Sequence, residues 1–292
     1  MSDYYGLPVG RLENTHLRLE YLAQAGPRLV RLCLSGSDLN LLAESPELSW
    51  ETPDGLYSLH GGHRLWHAPE AVTRSSVPDD DGLHVEALDD GVLLTGALEA
   101  NTGIRKAMQV HLHPERAAVT IDHRLTNQGL WAIELAAWAI TQLPLSGKAV
   151  LPQPNGKLDA DGVQPNRKLV LWPYTSWRDE RLRLDDHYIL LDARPSQEPA
   201  KWGYFNQEGW VGYFFEGVFF RKRFAPKPGQ PHADMGCNVE IFIKDRYIEL
   251  ETLGPVVRLE PGQTVEHIET WEIYPVGAVQ NLWEAANMIL LG

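Results

Sequence analysis

AVTIDHRLTNQG, residues 118–129, alternates with period two: Val119, Ile121, His123 and Leu125 turn one way, Thr120, Asp122 and Arg124 the other, and Asn127 to Gly129 supply a turn. A helix would repeat its apolar residues every three or four positions, so the stretch is a half-buried antiparallel strand. The same period runs through LRLEYLA (17–23), RLVRLCL (28–34), GVLLTGAL (91–98), KAMQVHLH (106–113), WVGYFFEGVFFRKRF (210–224), NVEIFIK (238–244), YIELETL (247–253) and HIETWEIY (267–274). Gly, Pro, Asp and Asn break these runs at short intervals. Only the tail VQNLWEAANMILLG (279–292) reads as a helix. Many strands without intervening helices imply an all-β fold of packed antiparallel sheets rather than a doubly wound one. No repeat or low-complexity tract divides the chain, so residues 1–292 are expected to form one domain. Residues 152–199, rich in Pro, Asn, Asp and Arg, read as a long excursion over a sheet face.

Composition narrows the function classes. The net charge of −13 repels phosphate backbones and no basic, aromatic-interleaved cluster offsets it, which argues against nucleic acid. No apolar run is long enough to span a bilayer and the first residues do not read as a secretory signal, so no membrane partner and a cytoplasmic location are expected. Cys33 and Cys237 are too few and too far apart for a disulfide framework. Ten tryptophans exceed what a core of this size needs and suit a pocket that stacks flat ligands or sugar faces.

Four stretches could carry chemistry. In LYSLHGGHRLWHAPE (56–70), His60, His63 and His67 lie close enough in sequence to share a metal with Glu70, but their spacing matches no defined site and no metal is expected. The glycines point instead to a tight turn that displays Arg64 and a neighbouring histidine, or to a plain structural turn. In HADMGCNVEIF (232–242) and YIELETLGP (247–255), His232, Asp234, Asn238 and Glu240 precede or enter one strand, while Glu249 and Glu251, two apart, share a face of the next. Carboxylates side by side repel, so one needs a partner or a raised pKa, unless both face solvent. Trp138, in ELAAWAITQLP (134–144), is a core or a stacking residue. In LWPYTSWRDERLR (171–183), Trp172, Tyr174 and Trp177 interleave with Asp179 and Arg181, which suits either a polyhydroxylated ring or a loop anchor with a surface ion pair.

Taken in order, these pieces resemble the galactose mutarotase-like superfamily, the aldose 1-epimerases and their relatives. LEYLAQAGPRLVRLCLSGSDLNLLAE (19–44) is similar to the family's opening strands, and GGHRLWHAPE (61–70) stands where it shows a sugar-contacting arginine, matching Arg64. VTIDHRLTNQGLWAIELAAW (119–138) resembles its strand, LTN turn and following strand. YIELETLGPVVRLEPGQTVEHIETWEIY (247–274) resembles its closing region, in which Glu251 takes the position of the catalytic base. TGIRK (102–106), GCNVE (236–240) and ELETLGP (249–255) are most similar to an uncharacterised bacterial subgroup, the DUF4380 type.

The resemblance implies a large antiparallel β-sandwich, the supersandwich, with a short C-terminal helix, a sugar cleft on the concave face, and no cofactor. It implies an aldose mutarotase or epimerase-like activity in which Glu251 deprotonates the anomeric hydroxyl while an acid protonates the ring oxygen. The chain departs from the pattern where the family places its acid: LAAWAITQL (135–143) offers Trp138 in place of a histidine, and residues 71–91 hold no match for a second one. His63, His67 or Lys201 in EPAKWGYFN (198–206) then have to supply the proton. Arg64, His67, Trp138, Trp172, Asp179, Asp234, Asn238 and Glu240 are the candidate substrate contacts. The missing histidine equally suits a non-catalytic carbohydrate-binding protein. A sugar lyase or hydrolase using Glu249 or Asp179 with Glu251 is the remaining reading. The partner in each case is a small sugar or sugar derivative; the oligomeric state is not legible in the sequence.

Overall fold

Along Ala118–Asn127 the side chains of Val119, Ile121, His123 and Leu125 are buried and those between them half-buried, as the period-two pattern requires. Trp210–Phe215 and Val218–Phe224 form a hairpin whose two turn residues, Glu216 and Gly217, both have positive φ (46° and 76°). That geometry matches the right-handed twist of the flanking strands. The computed structural model describes residues 3–278, and the tail read as a helix lies outside them.

Two large antiparallel sheets make the fold, one of eleven strands and one of ten. The middle of the first runs, strand by strand, Arg28–Leu34, His63–Ala68, Ile133–Pro144, Tyr247–Leu253, Val239–Lys244 and Ala200–Tyr204. The second is centred on Val218–Phe224, Thr264–Pro275, Ala118–Asn127 and Ile104–Leu112. A separate hairpin, Glu44–Thr52 with Gly55–Gly61, completes the described strands. Ala233–Gly236 is a single turn with Asp234 and Met235 at positive φ, and among the described residues no helix is long and apolar enough to cross a membrane. These are the packed antiparallel sheets that the alternation implied, in the large sandwich that the family resemblance implied.

Facing sides of the two sheets share one core: Leu65, Ala137, Ile241 and Leu250 from the first pack with Val110, Ile121, Phe220 and Trp271 from the second. Each such fully buried Leu, Ile, Val or Phe side chain stabilises the fold by roughly 1.5–3 kcal/mol. Cys33 and Cys237 are both free and buried.

A buried polar network crosses this core. Lys222 reaches Glu269 at 2.9 Å, the Thr141 hydroxyl at 3.0 Å and the carbonyls of Ala139 and Leu250 at 3.1 and 3.0 Å. Thr141 Oγ1 lies 2.8 Å from His63 Nδ1, and His63 Nε2 lies 2.7 Å from His123 Nε2. His123 Nδ1 donates to the His267 carbonyl at 2.8 Å, so its Nε2 accepts from His63. The Thr252 hydroxyl and Trp271 Nε1 both donate to Glu269. Burial pushes the imidazoles of His63, His123 and His267 down, that of His267 to about 3, which keeps them neutral. His63, His123 and Glu269 bring metal-capable atoms within 4.8 Å of one another. Hydrogen bonds already use those atoms, and the Lys222 ammonium against Glu269 opposes a second cation.

Candidate functional site

The opposite face of the first sheet, turned away from this core, carries the candidate site. His60, Gly61 and Gly62 all have positive φ (59°, 94° and 67°), and a Cβ on Gly62 would come within 1.9 Å of the Leu29 carbonyl oxygen. The chain passes through this turn from the hairpin into the strand His63–Ala68. Parity then separates the strand's side chains: Arg64 and Trp66 point to the outer face, His63, Leu65 and His67 to the inner. Register extends the outer face across the sheet. Arg64 lies opposite Ile140 and Trp66 opposite Trp138, Ile140 lies opposite Glu251 and Gln142 opposite Glu249, and Glu240 and Phe242 come next, followed by Lys201 opposite Phe242. Arg64 and Glu251 are therefore two strands apart on one face, roughly 10 Å between backbones.

A cavity of about 400 Å³ opens over this face, within the range of about 300–1,000 Å³ common to ligand pockets. Arg64, Lys201 and Glu249 form its polar floor, and Trp50, Trp66, Trp138, Tyr174, Phe242 and Tyr247 its walls. The hairpin contributes Trp50 at the rim, 39% exposed, and a run of aromatic contacts leads from Trp50 through Tyr57 and Trp66 to Trp138 with ring centroids 4.9, 5.8 and 5.5 Å apart. A larger cavity of about 790 Å³ lies under the loop after Pro152. Its basic side chains, Arg167 and Lys168, are spent on the backbone carbonyls of Pro154, Asp186 and Met235.

Two cations organise the floor. The Lys201 ammonium lies 2.6 Å from Glu240 and 2.9 Å from Glu251, and is flanked by the rings of Trp138 and Trp172 at 4.6 and 4.8 Å. Burial alone would depress it, but Glu251 and Glu240 outweigh burial and hold it above the usual lysine range. Burial raises the Glu240 carboxyl well above its ordinary value; Lys201 opposes that rise and the nearby Glu251 adds to it. Arg64 donates from Nη2 to Glu249 Oε1 at 2.9 Å, and Gln142 donates to the same oxygen at 2.8 Å. The Arg64 guanidinium also packs 4.5 Å from the Trp66 ring centre. The Glu249 carboxyl is raised by burial, lowered by Arg64 and raised again by Glu251.

Glu251 is fully buried and does not line the cavity; Trp138 and Lys201, which hold it, do. Its Oε2 accepts from Trp138 Nε1 at 2.6 Å and from Lys201, while its Oε1 is sealed from solvent without a partner.

Of the residues singled out in the sequence, Arg64, Trp138, Trp172, Lys201, Glu240 and Glu251 come together here. The three histidines of residues 56–70 do not converge. His60 pairs with Asp80 at 2.7 Å, His63 belongs to the inter-sheet network, and His67 lies on the inner face, 3.4 Å from Glu99. A buried imidazole on the far side of the sheet cannot hand a proton to a ligand over Arg64, which removes His63 and His67 as donors or contacts. Asp179 forms a two-pronged ion pair with Arg181, and Asn238 ties its side chain to both backbone groups of Asn206. Asp234 occupies a left-handed turn (φ 51°) outside the cavity lining. None of these three lines the cavity. Sequence reasoning passed over Trp66, Gln142 and Tyr247, whose parity along their strands with Arg64, Trp138 and Glu249 respectively was the available signal.

No family model and no curated protein matches the chain by sequence. Solved structures do match its fold. A TPR-domain containing protein from Parabacteroides distasonis superposes with a TM-score of 0.64 at 14% identity, over 95% of this chain and 48% of that one, so the chain spans about half of that protein. A galactose mutarotase related enzyme from Lactobacillus acidophilus gives 0.58 at 9% identity, covering 94% of this chain and 100% of that one. A galactose mutarotase-like protein from Lactobacillus casei gives 0.53 at 10% identity, over 91% and 100%. The fold is the galactose mutarotase-like sandwich.

Proposed function

We propose that the cleft over Arg64, Lys201 and Glu249 binds a sugar or sugar derivative, and that binding rather than turnover is its function. The observation that carries this reading is the cleft's composition: indole and phenol rings on the walls and charged hydrogen-bonding groups on the floor. Sugar rings offer apolar CH faces for such walls and hydroxyls for such floors. The mutarotase name attached to fold neighbours agrees with a sugar ligand, although fold alone does not fix function.

Against turnover stands the contact between Glu251 and Lys201. Mutarotation needs a base at the anomeric hydroxyl and an acid at the ring oxygen, each free to face the ring. An ion pair 2.9 Å long neutralises both groups instead of bracketing a substrate. The raised pKa of Lys201 also makes it a weak acid near neutrality. Anomer interconversion with Glu251 as base and Lys201 as acid is the second reading. It is favoured by Lys201 touching both the cavity and Glu251, so that a sugar hydroxyl could take over that contact.

Calorimetry and polarimetry on the same aldoses separate the two. Binding without acceleration of anomer exchange is expected. Acceleration that disappears in Glu251→Gln would replace binding with the second reading, and absence of any sugar binding would overturn both.

A further inference from the structure

Charge around the cleft is unbalanced. Glu51, Glu70 and Glu249 line the cavity, and Glu240 and Glu251 lie behind Lys201. Burial holds the Glu240 carboxyl well above its ordinary value, so it adds little charge; against the other four carboxylates stand two cations, Arg64 and Lys201, each already committed to a carboxylate. Arg64 keeps two further donors, Nε and Nη1, without partners, but both are sealed from solvent and cannot be offered to a ligand. An anionic sugar, whether a phosphate or a uronate, would therefore enter a negative field with no free cation to receive it.

A positively charged ligand meets the opposite situation. Glu249 has a side chain only 8% exposed, lines the cavity, and spends only Oε1 on Arg64 and Gln142; among the described residues no hydrogen bond reaches its Oε2. Glu70 and Glu51 are exposed where they line the cavity. The walls are aromatic, and ring faces attract cations. The protein already uses this combination once: the Lys201 ammonium rests between two indoles and two carboxylates.

We infer that the sugar is an amino sugar, its ammonium group seated among Glu249, Glu70 and the aromatic wall. This rests on the sugar-binding reading above and narrows its ligand class.

The experiment is calorimetry on the full chain with glucosamine and galactosamine, their parent hexoses, their N-acetyl derivatives and glucose 6-phosphate. At least one amino sugar is expected to bind about tenfold more tightly than its parent hexose, as a single favourable charged contact allows. Acetylation, which removes the charge, is expected to abolish that advantage, and the phosphate to bind more weakly than glucose. Glu249→Gln should narrow the gap between amine and parent to about twofold. Because that change also strips Arg64 of its partner, Glu70→Gln, at an exposed lining position, serves as the second variant and should narrow the gap in part. Parent hexoses binding as tightly as the amines, or the phosphate binding most tightly, would overturn the amino-sugar assignment and leave the sugar cleft standing. Binding by none of these sugars would overturn both.

Discussion

Replacing Lys201 by methionine probes the floor of the cleft directly. Lys201 is 4% exposed and its ammonium is the cation shared by Glu240 and Glu251, which are 1% and 0% exposed. Methionine fills a similar volume, so the main effect is electrostatic rather than a cavity. Removing one partner of a buried ion pair costs about 3–5 kcal/mol, because the remaining charge keeps its desolvation penalty. The lower end, about 3 kcal/mol, is expected here, since Glu240 already has a raised pKa and can take up a proton. Urea unfolding at neutral pH should show a lower midpoint with an unchanged slope. The double variant Lys201→Met, Glu251→Gln should recover about half of the loss, since one stranded carboxylate is gone. The deficit should also shrink as pH falls, because raised carboxyls in the folded variant bind protons before the unfolded chain does. A loss below about 1 kcal/mol, the size of a surface pair, or one that does not change with pH, would refute the shared buried pairing.

Three further substitutions test the frame around the site. Burial alone would raise the Glu99 carboxyl, but Lys106 at 2.5 Å and His67 hold it at about 2, against an ordinary 4.5. Its folded pKa is depressed, so its contribution, about 3 kcal/mol, is present above pH 4.5 and is lost as pH falls toward 2. Acid unfolding curves of the wild type and Glu99→Gln should converge through that window, and parallel curves would contradict the assignment. Gly62→Ala forces a Cβ to within 1.9 Å of a backbone oxygen at φ 67° and should cost more than about 3 kcal/mol in chemical denaturation. Gly6→Ala, at φ 90° with nothing nearby, should cost only about 1–2 kcal/mol.

The packed antiparallel sheets were legible because their strands keep period two, as residues 118–127 show, and because turn residues punctuate them; the sandwich itself came from the family resemblance. The shared face of Glu249 and Glu251 followed from the same rule. Residues 63–68 misled because every position there is buried. With both faces covered, polar and apolar residues no longer alternate, and the stretch was read as a glycine turn that displays Arg64 with a neighbouring histidine. Applying parity there would have set Arg64 and Trp66 apart from His63 and His67. The direct contact of Lys201 with Glu251 was beyond sequence reasoning, since it depends on Val239–Lys244 lying between their two strands. Tyr174, by contrast, was singled out by its aromatic neighbours in the sequence, although the loop that brings it to the cavity has no periodicity.

The most direct test of the sugar cleft is a crystal of this protein soaked with glucosamine. The ring should lie over Arg64 and Glu249 with an apolar face against Trp66 or Trp138, and its amine within about 3 Å of a Glu249 oxygen. Sugar density confined to the cavity under the loop after Pro152, or a cleft holding only water at saturating ligand, would contradict the account.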